Sequence, residues 1–97
     1  IIASAKAAVE GLTVTLAAEF APSIRVNCIA PSLTDSKISQ LMLKSEVVAE
    51  ALAKAHPLKR LGEGKDSASL AKFLLSGENS WVTGQIIGVD GGRSSLS

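Results

Sequence analysis

Ile24-Arg25-Val26-Asn27-Cys28-Ile29-Ala30-Pro31-Ser32 is the stretch on which the fold turns. Ile24, Val26 and Cys28 alternate with Arg25 and Asn27, and Ile29 and Ala30 continue apolar, so residues 24–30 read as a strand. Pro31-Ser32 punctuates its end. Upstream, residues 3–20 (ASAKAAVEGLTVTLAAEF) are dense in alanine, the best helix former, and read as a helix. Val9, Leu12, Leu16 and Phe20 recur at spacings of three and four and predict one apolar stripe. Ala7, Ala8 and Gly11 lie elsewhere on the cylinder and leave room for a second packing partner. Pro22 ends the helix, because the residue before a proline avoids the α region.

Downstream, residues 33–40 are polar and ambiguous. A second helix is expected over 38–55, with Leu41, Val48, Leu52 and Ala55 on one face, Asp35 or Ser36 as its cap, and His56-Pro57 as its stop. Residues 57–65 (PLKRLGEGK) read as a loop. Residues 66–76 read as a third helix, capped by Asp66 or Ser67, with Leu70, Phe73 and Leu74 apolar. Residues 77–84 are a turn, and residues 85–90 (QIIGVD) a second strand, stopped by Gly91-Gly92. The tail RSSLS is expected to be loose. Strands separated by helices imply an α/β fold with a parallel pair joined by a right-handed crossover. Two strands cannot cover this much helical surface, and a parallel sheet needs both faces covered. Further strands are therefore expected from a preceding segment or from another chain.

The bulk properties narrow the function. The 97 residues fit one partial domain, taken as 1–97. Hydrophobic residues make up 46% and charged ones 20%, which excludes a disordered tail. Ten Lys+Arg against nine Asp+Glu leave a formal charge of +1, with no electrostatic case for nucleic acid or an anionic membrane as partner. No apolar run reaches the ~18 residues of a membrane span. One cysteine and one histidine cannot furnish a structural zinc site, and a lone Cys28 fits a reducing, cytoplasmic setting. The chain opens Ile1-Ile2-Ala3 without an initiator Met, as though inside an element, so a fragment is expected.

Four motifs in register resemble the C-terminal half of a short-chain dehydrogenase/reductase: Ala3–Leu12, Ile24–Ser32, Pro57–Glu63, and Val82-Thr83-Gly84-Gln85 with Val89-Asp90-Gly91-Gly92. The resemblance implies the C-terminal part of a doubly wound, parallel-sheet, Rossmann-like fold. It also implies NAD or NADP as cofactor and hydride transfer between the nicotinamide and a carbonyl or alcohol of a small molecule. The family signature is Tyr-x-x-x-Lys on a helix, and residues four apart share a helix face. An ammonium there stabilises the phenolate and lowers the phenol's pKa, so that the phenol serves as general acid or base.

Lys6 fits the lysine position, which implies a catalytic role and contact with the nicotinamide ribose. The tyrosine position holds Ile2, and the chain has no tyrosine. Ser4 lies about 200° around the helix from Lys6 and faces away. The family's Pro-Gly-x-x-x-Thr, which clasps the nicotinamide carboxamide, reads Pro31-Ser32-Leu33-Thr34-Asp35-Ser36 here. Ser32 stands where the family has glycine, and Ser36 where it has threonine. The implied cofactor residues are thus Lys6, Pro31, Ser32, Leu33, Thr34 and Ser36, beyond the carboxyl end of a parallel strand, where such folds bind ligands. The Gly-x-x-x-Gly-x-Gly turn that holds the pyrophosphate is not among these residues, so weak or no dinucleotide binding is expected of this chain alone.

Each residue also has a plainer reading. Lys6 alone is a solvated lysine, Asn27 a satisfied strand-edge group, Cys28 a buried small hydrophobe and His56 a capping or solvated residue. Trp81 is expected to anchor the last strand, and Lys59 and Arg60 to be a solvated loop pair. The small-residue face of the first helix fits a subunit interface, hence a homo-oligomer. The expectation is the C-terminal part of an NAD(P)-dependent oxidoreductase, inactive alone. The alternative is a non-catalytic cofactor-binding or oligomerisation subunit.

Overall fold

The computed structural model describes residues 2–32, 34, 35 and 45–96, with the backbone alone at Ile2, Thr34 and Asp35. The elements are α1 (Ile2–Phe20), β1 (Cys28–Pro31), β2 (Thr34–Asp35), α2 (Glu46–Lys54), β3 (Gly62–Glu63), α3 (Gly64–Leu75), β4 (Ile86–Val89) and α4 (Arg93–Leu96). The expected order of helix, strand, helix, helix, strand stands as the frame. Two-residue strands β2 and β3 and the one-turn helix α4 are added to it. Arg93–Leu96 is therefore not a loose tail: Leu96 N donates to Gly92 O at 2.8 Å. The part of the expected helix before Ser45 lies outside the described residues. Its described part is capped by Ser45, which accepts from Val48 N, and Asp35 belongs to β2 instead.

β1 pairs with β4. Cys28 N donates to Gln85 O at 2.8 Å and Ser32 N to Val89 O at 3.3 Å. Both chains advance in the same sense, so the pair is parallel, as the helical connections required. The observed strand begins later than the expected 24–30, because before Cys28 the pairing is irregular: Val26 O accepts from Gly84 N at 2.7 Å, and side chains make the other links. Val26 N donates to Thr83 Oγ1 at 3.1 Å, while Asn27 donates through Nδ2 to Val82 O at 3.0 Å and accepts from Gln85 N at 3.1 Å. Asn27 is thus a clamp on the segment that feeds β4. β2 and β3 form a second parallel pair in the register Thr34↔Gly62 and Asp35↔Glu63.

The chain divides into two compact units, Ile1–Ile29 with Leu70–Ile87, and Ala30–Ser69 with Gly88–Ser97. In the first unit, Thr13 and Ala17 are the buried residues of α1. They lie one turn apart, on a face the hydrophobic spacing did not select. Ala17 abuts Gly84, where a Cβ would stand 3.5 Å from the alanine methyl. Val9, Leu12 and Phe20 of the expected stripe are exposed. Leu74 is buried, and its carbonyl, unpaired at the end of α3, accepts from Arg25 at 2.9 Å. Cys28 is half-buried rather than buried. Trp81 is 97% exposed, so it does not anchor β4; Asn27 and Thr83 do. Ala17 and Leu74 are the only buried hydrophobic residues among those described. Much apolar helix and strand surface is left open among the described residues.

Candidate functional site

The second unit gathers its polar side chains where β1 and β4 end. Pro31 closes β1 and is exposed; Ser32 follows, half-buried. Among the described non-glycine residues only Lys59 has positive φ. Serine in the glycine slot is therefore unstrained, because the backbone there is one that any L residue adopts.

The Ser32 hydroxyl lies 2.9 Å from His56 Nε2. His56 is 2% exposed, so it is not solvated; it takes the capping alternative, its Nδ1 lying 2.7 Å from Leu52 O, one of the last carbonyls of α2. The histidine sits just beyond the end of α2, where Pro57 stops the helix. The left-handed Lys59 turns the chain back: Lys59 N donates to His56 O at 2.8 Å, and Lys59 Nζ to Lys54 O at 3.0 Å. Lys59 thus satisfies carbonyls around the end of α2 rather than being simply solvated.

The turn after β4 closes the site from the other side. Asp90 accepts from Gly92 N at 2.9 Å and from the Ser94 hydroxyl, and these bonds hold its carboxyl below the usual carboxylate range. Gly91 and Gly92 have φ of +60° and +86°. Gly91 O accepts from Leu58 N at 3.1 Å. A Cβ on Gly92 would meet Pro57 and Leu96 at 3.1–3.3 Å, so glycine is favoured there on both backbone and packing grounds, and at Gly91 on backbone grounds.

Arg60 and Asp66 form a bidentate pair at 2.9 and 3.1 Å. Asp66 also accepts from Glu63 N at 2.7 Å. It caps α3 from inside the first turn, in the manner of the reciprocal arm of a capping box. The Arg60 guanidinium and that N–H together lower the Asp66 pKa to about 2. Ser32, His56, Arg60, Asp66, Asp90 and Gly92 line one cavity of about 330 Å³. With Ser69 also on the wall, its chemistry is mixed: two hydroxyls, an imidazole, one cation and two carboxylates.

The sequence-derived site residues are distributed as follows. Lys6 lies on α1 in the first unit, exposed. Pro31, Ser32 and the backbone of Thr34 lie in the second, and Leu33 and Ser36 are outside the described residues. His56 as the partner of Ser32, 24 positions away, was not legible in the sequence. The one local signal was a histidine before a proline at a helix end. Among the described residues no three His, Cys, Asp or Glu are grouped to hold a metal, and no helix is long and apolar enough to cross a membrane.

The family model described as Enoyl-(Acyl carrier protein) reductase matches residues 1–94. The chain belongs to the short-chain dehydrogenase/reductase family. Among curated members it is 40% identical over 90 residues to Tropinone reductase-like 3 of Erythroxylum coca, covering 93% of this chain and 35% of that one. It is 41% identical over 91 residues to the human Dehydrogenase/reductase SDR family member 4, covering 93% and 33%. Among solved structures, ElxO with NADP bound matches with a TM-score of 0.86 at 34% identity, over 95% of this chain and 38% of that one. The chain spans about a third of the length of these short-chain dehydrogenase/reductases. Its fold is the Rossmann-like α/β fold of the family.

Proposed function

We propose that the protein is an NAD(P)-dependent oxidoreductase that interconverts a carbonyl and an alcohol on a small molecule, and that these residues supply the nicotinamide end of its cofactor site. The observation that carries the reading is the Pro31–Ser32 turn at the carboxyl end of the parallel β1–β4 pair, in a chain of this family. Ser32 keeps an unstrained backbone there, so the glycine-to-serine departure is compatible with the loop. When bound, NAD(P) supplies or accepts the hydride.

Lys6 holds a positive charge on α1 that suits a ribose hydroxyl and an adjacent oxyanion. Pro31, Ser32, Leu33, Thr34 and Ser36 are the residues assigned to the carboxamide by this reading. The pyrophosphate end does not fit these residues. The first turn of α3 carries Asp66, and Glu63 stands before it, so an anion there meets carboxylates. The α2 N-terminus is capped by Ser45 and followed by Glu46. Neither of these two helix starts offers a grip for phosphate. The small-residue face of α1, with nothing within 4 Å of a Cβ built on Gly11, suits contact between subunits of a homo-oligomer.

A second reading is favoured by Ile2, which has no proton to give. In it the protein binds cofactor without turnover. Titrating NADH and NADPH against a panel of carbonyl compounds separates the two. Turnover supports the enzyme, saturable binding without turnover supports the silent subunit, and the absence of binding refutes both. Ile2→Tyr should raise turnover; a flat response with cofactor still bound would remove Lys6 from its assigned role.

A further inference from the structure

His56 is the most deeply buried large side chain among the described residues, and the function proposed above gives it no task. Its ring geometry fixes its tautomer. Leu52 O can only accept, so Nδ1, at 2.7 Å, carries the proton. In the neutral ring Nε2 is then the acceptor, and the Ser32 hydroxyl donates to it at 2.9 Å. The backbone around the ring is pinned as well. His56 N donates to Ala53 O at 3.1 Å, and His56 O accepts from Lys59 N at 2.8 Å. Gly91 lies close to the residue as well: a Cβ there would stand 3.6 Å from His56 Cβ and 3.8 Å from its Cδ2. The imidazole is therefore a rigid post, and what it holds is the first residue beyond β1.

We propose that His56 is a positioning residue for the cofactor loop: through the Ser32 hydroxyl it sets how the chain leaves β1 at Pro31–Ser32. The inference rests on the reading of Pro31–Ser36 as the carboxamide-facing loop and deepens it. At Ser32 the turn is made without positive φ. A hydrogen bond to the post then fixes the direction that glycine's conformational freedom would otherwise leave open. A serine beside a histidine is also the layout of a nucleophile with its base. Here, however, the ring is oriented by an uncharged carbonyl and is closed to solvent, which suits holding rather than proton abstraction.

The test uses the natural protein that carries this sequence, with NADH and NADPH binding followed by cofactor fluorescence and folding followed by the urea midpoint. His56→Asn keeps a donor for Leu52 O and withdraws the acceptor from Ser32. His56→Gln keeps an amide oxygen within reach of Ser32. Ser32→Ala removes the hydroxyl itself. A net neutral hydrogen bond of ~1 kcal/mol corresponds to about fivefold in affinity, so His56→Asn and Ser32→Ala should each weaken cofactor binding about fivefold. The double variant should be no weaker than either single one, because both remove the same contact. His56→Gln should bind within about twofold of the unaltered protein, at the same urea midpoint as His56→Asn. Unchanged binding in Ser32→Ala, or equal losses in His56→Gln and His56→Asn, would overturn the proposal while leaving the functional reading in place. If the unaltered protein binds neither dinucleotide, the functional reading falls first and this inference goes with it.

Discussion

Asn27 offers the sharpest perturbation of the frame. Its amide makes two hydrogen bonds, donating to Val82 O at 3.0 Å and accepting from Gln85 N at 3.1 Å, and the residue is half-buried. Two backbone bonds, Gly84 N to Val26 O at 2.7 Å and Cys28 N to Gln85 O at 2.8 Å, pair the segments here, and the Asn27 amide and the Thr83 hydroxyl reinforce them where the ladder is irregular. Asn27→Ala removes both bonds and leaves a carbonyl and an N–H without their partner. At ~1 kcal/mol for each net hydrogen bond, the loss should be about 2 kcal/mol. Asn27→Asp keeps an acceptor for Gln85 N but turns a carboxylate oxygen toward Val82 O, so it should lose at least the first bond. Urea unfolding at neutral pH reads the difference as a shift in midpoint at constant slope. Hydrogen exchange at the Gln85 amide reports the clamp directly, and its protection should fall in Asn27→Ala. A stability change under ~0.5 kcal/mol with Gln85 still protected would refute the clamp. The register of β4 would then have to be set by the strands themselves.

Two further outcomes are expected. Asp66 titrates at about 2 when folded, held down first by the Arg60 guanidinium and then by Glu63 N–H. A depressed carboxylate stabilises the fold above its ordinary value of 3.8 and loses that contribution as pH falls toward 2. An acid titration followed by circular dichroism should show stability declining through that window. Asp66→Asn should flatten the decline, and an unchanged acid limb would show that the pair contributes nothing. Gly92→Ala places a Cβ against Pro57 and Leu96 at a φ of +86°, and should cost about 1–3 kcal/mol in a thermal melt. An unaltered melting temperature would refute the turn geometry.

The sequence carried the element types well, and the contacts between elements poorly. The Ala-rich run made α1 legible, and the motifs around Asn27, Pro31 and Gly91 placed the chain in its family. The packed face of α1 was misread because spacing ranks residues by hydrophobicity, whereas Ala17 is buried for being small enough to lie against Gly84, and Thr13 is buried one turn before it. Thr13 also hides its hydroxyl on Val9 O at 2.8 Å, which makes a polar residue acceptable inside. Gly62–Glu63 was read as loop because two residues carry no alternation, and its strand character comes only from pairing with Thr34–Asp35. Asp66 was rightly expected to cap α3, although it does so from within the helix. In the site, Pro31 and Ser32 could be located from the motif. His56 could not, because its role depends on a partner brought near only by folding.

The turn after β4 bears on which truncations the site tolerates. Gly91 O is the acceptor for Leu58 N, and Asp90 gathers Gly92 and Ser94 around its carboxyl. The last few residues are therefore a latch, fastening the strand's exit to the loop behind α2. Trimming back to Asp90 would strip the histidine of its glycine wall and free the very loop whose shape the cofactor is expected to read.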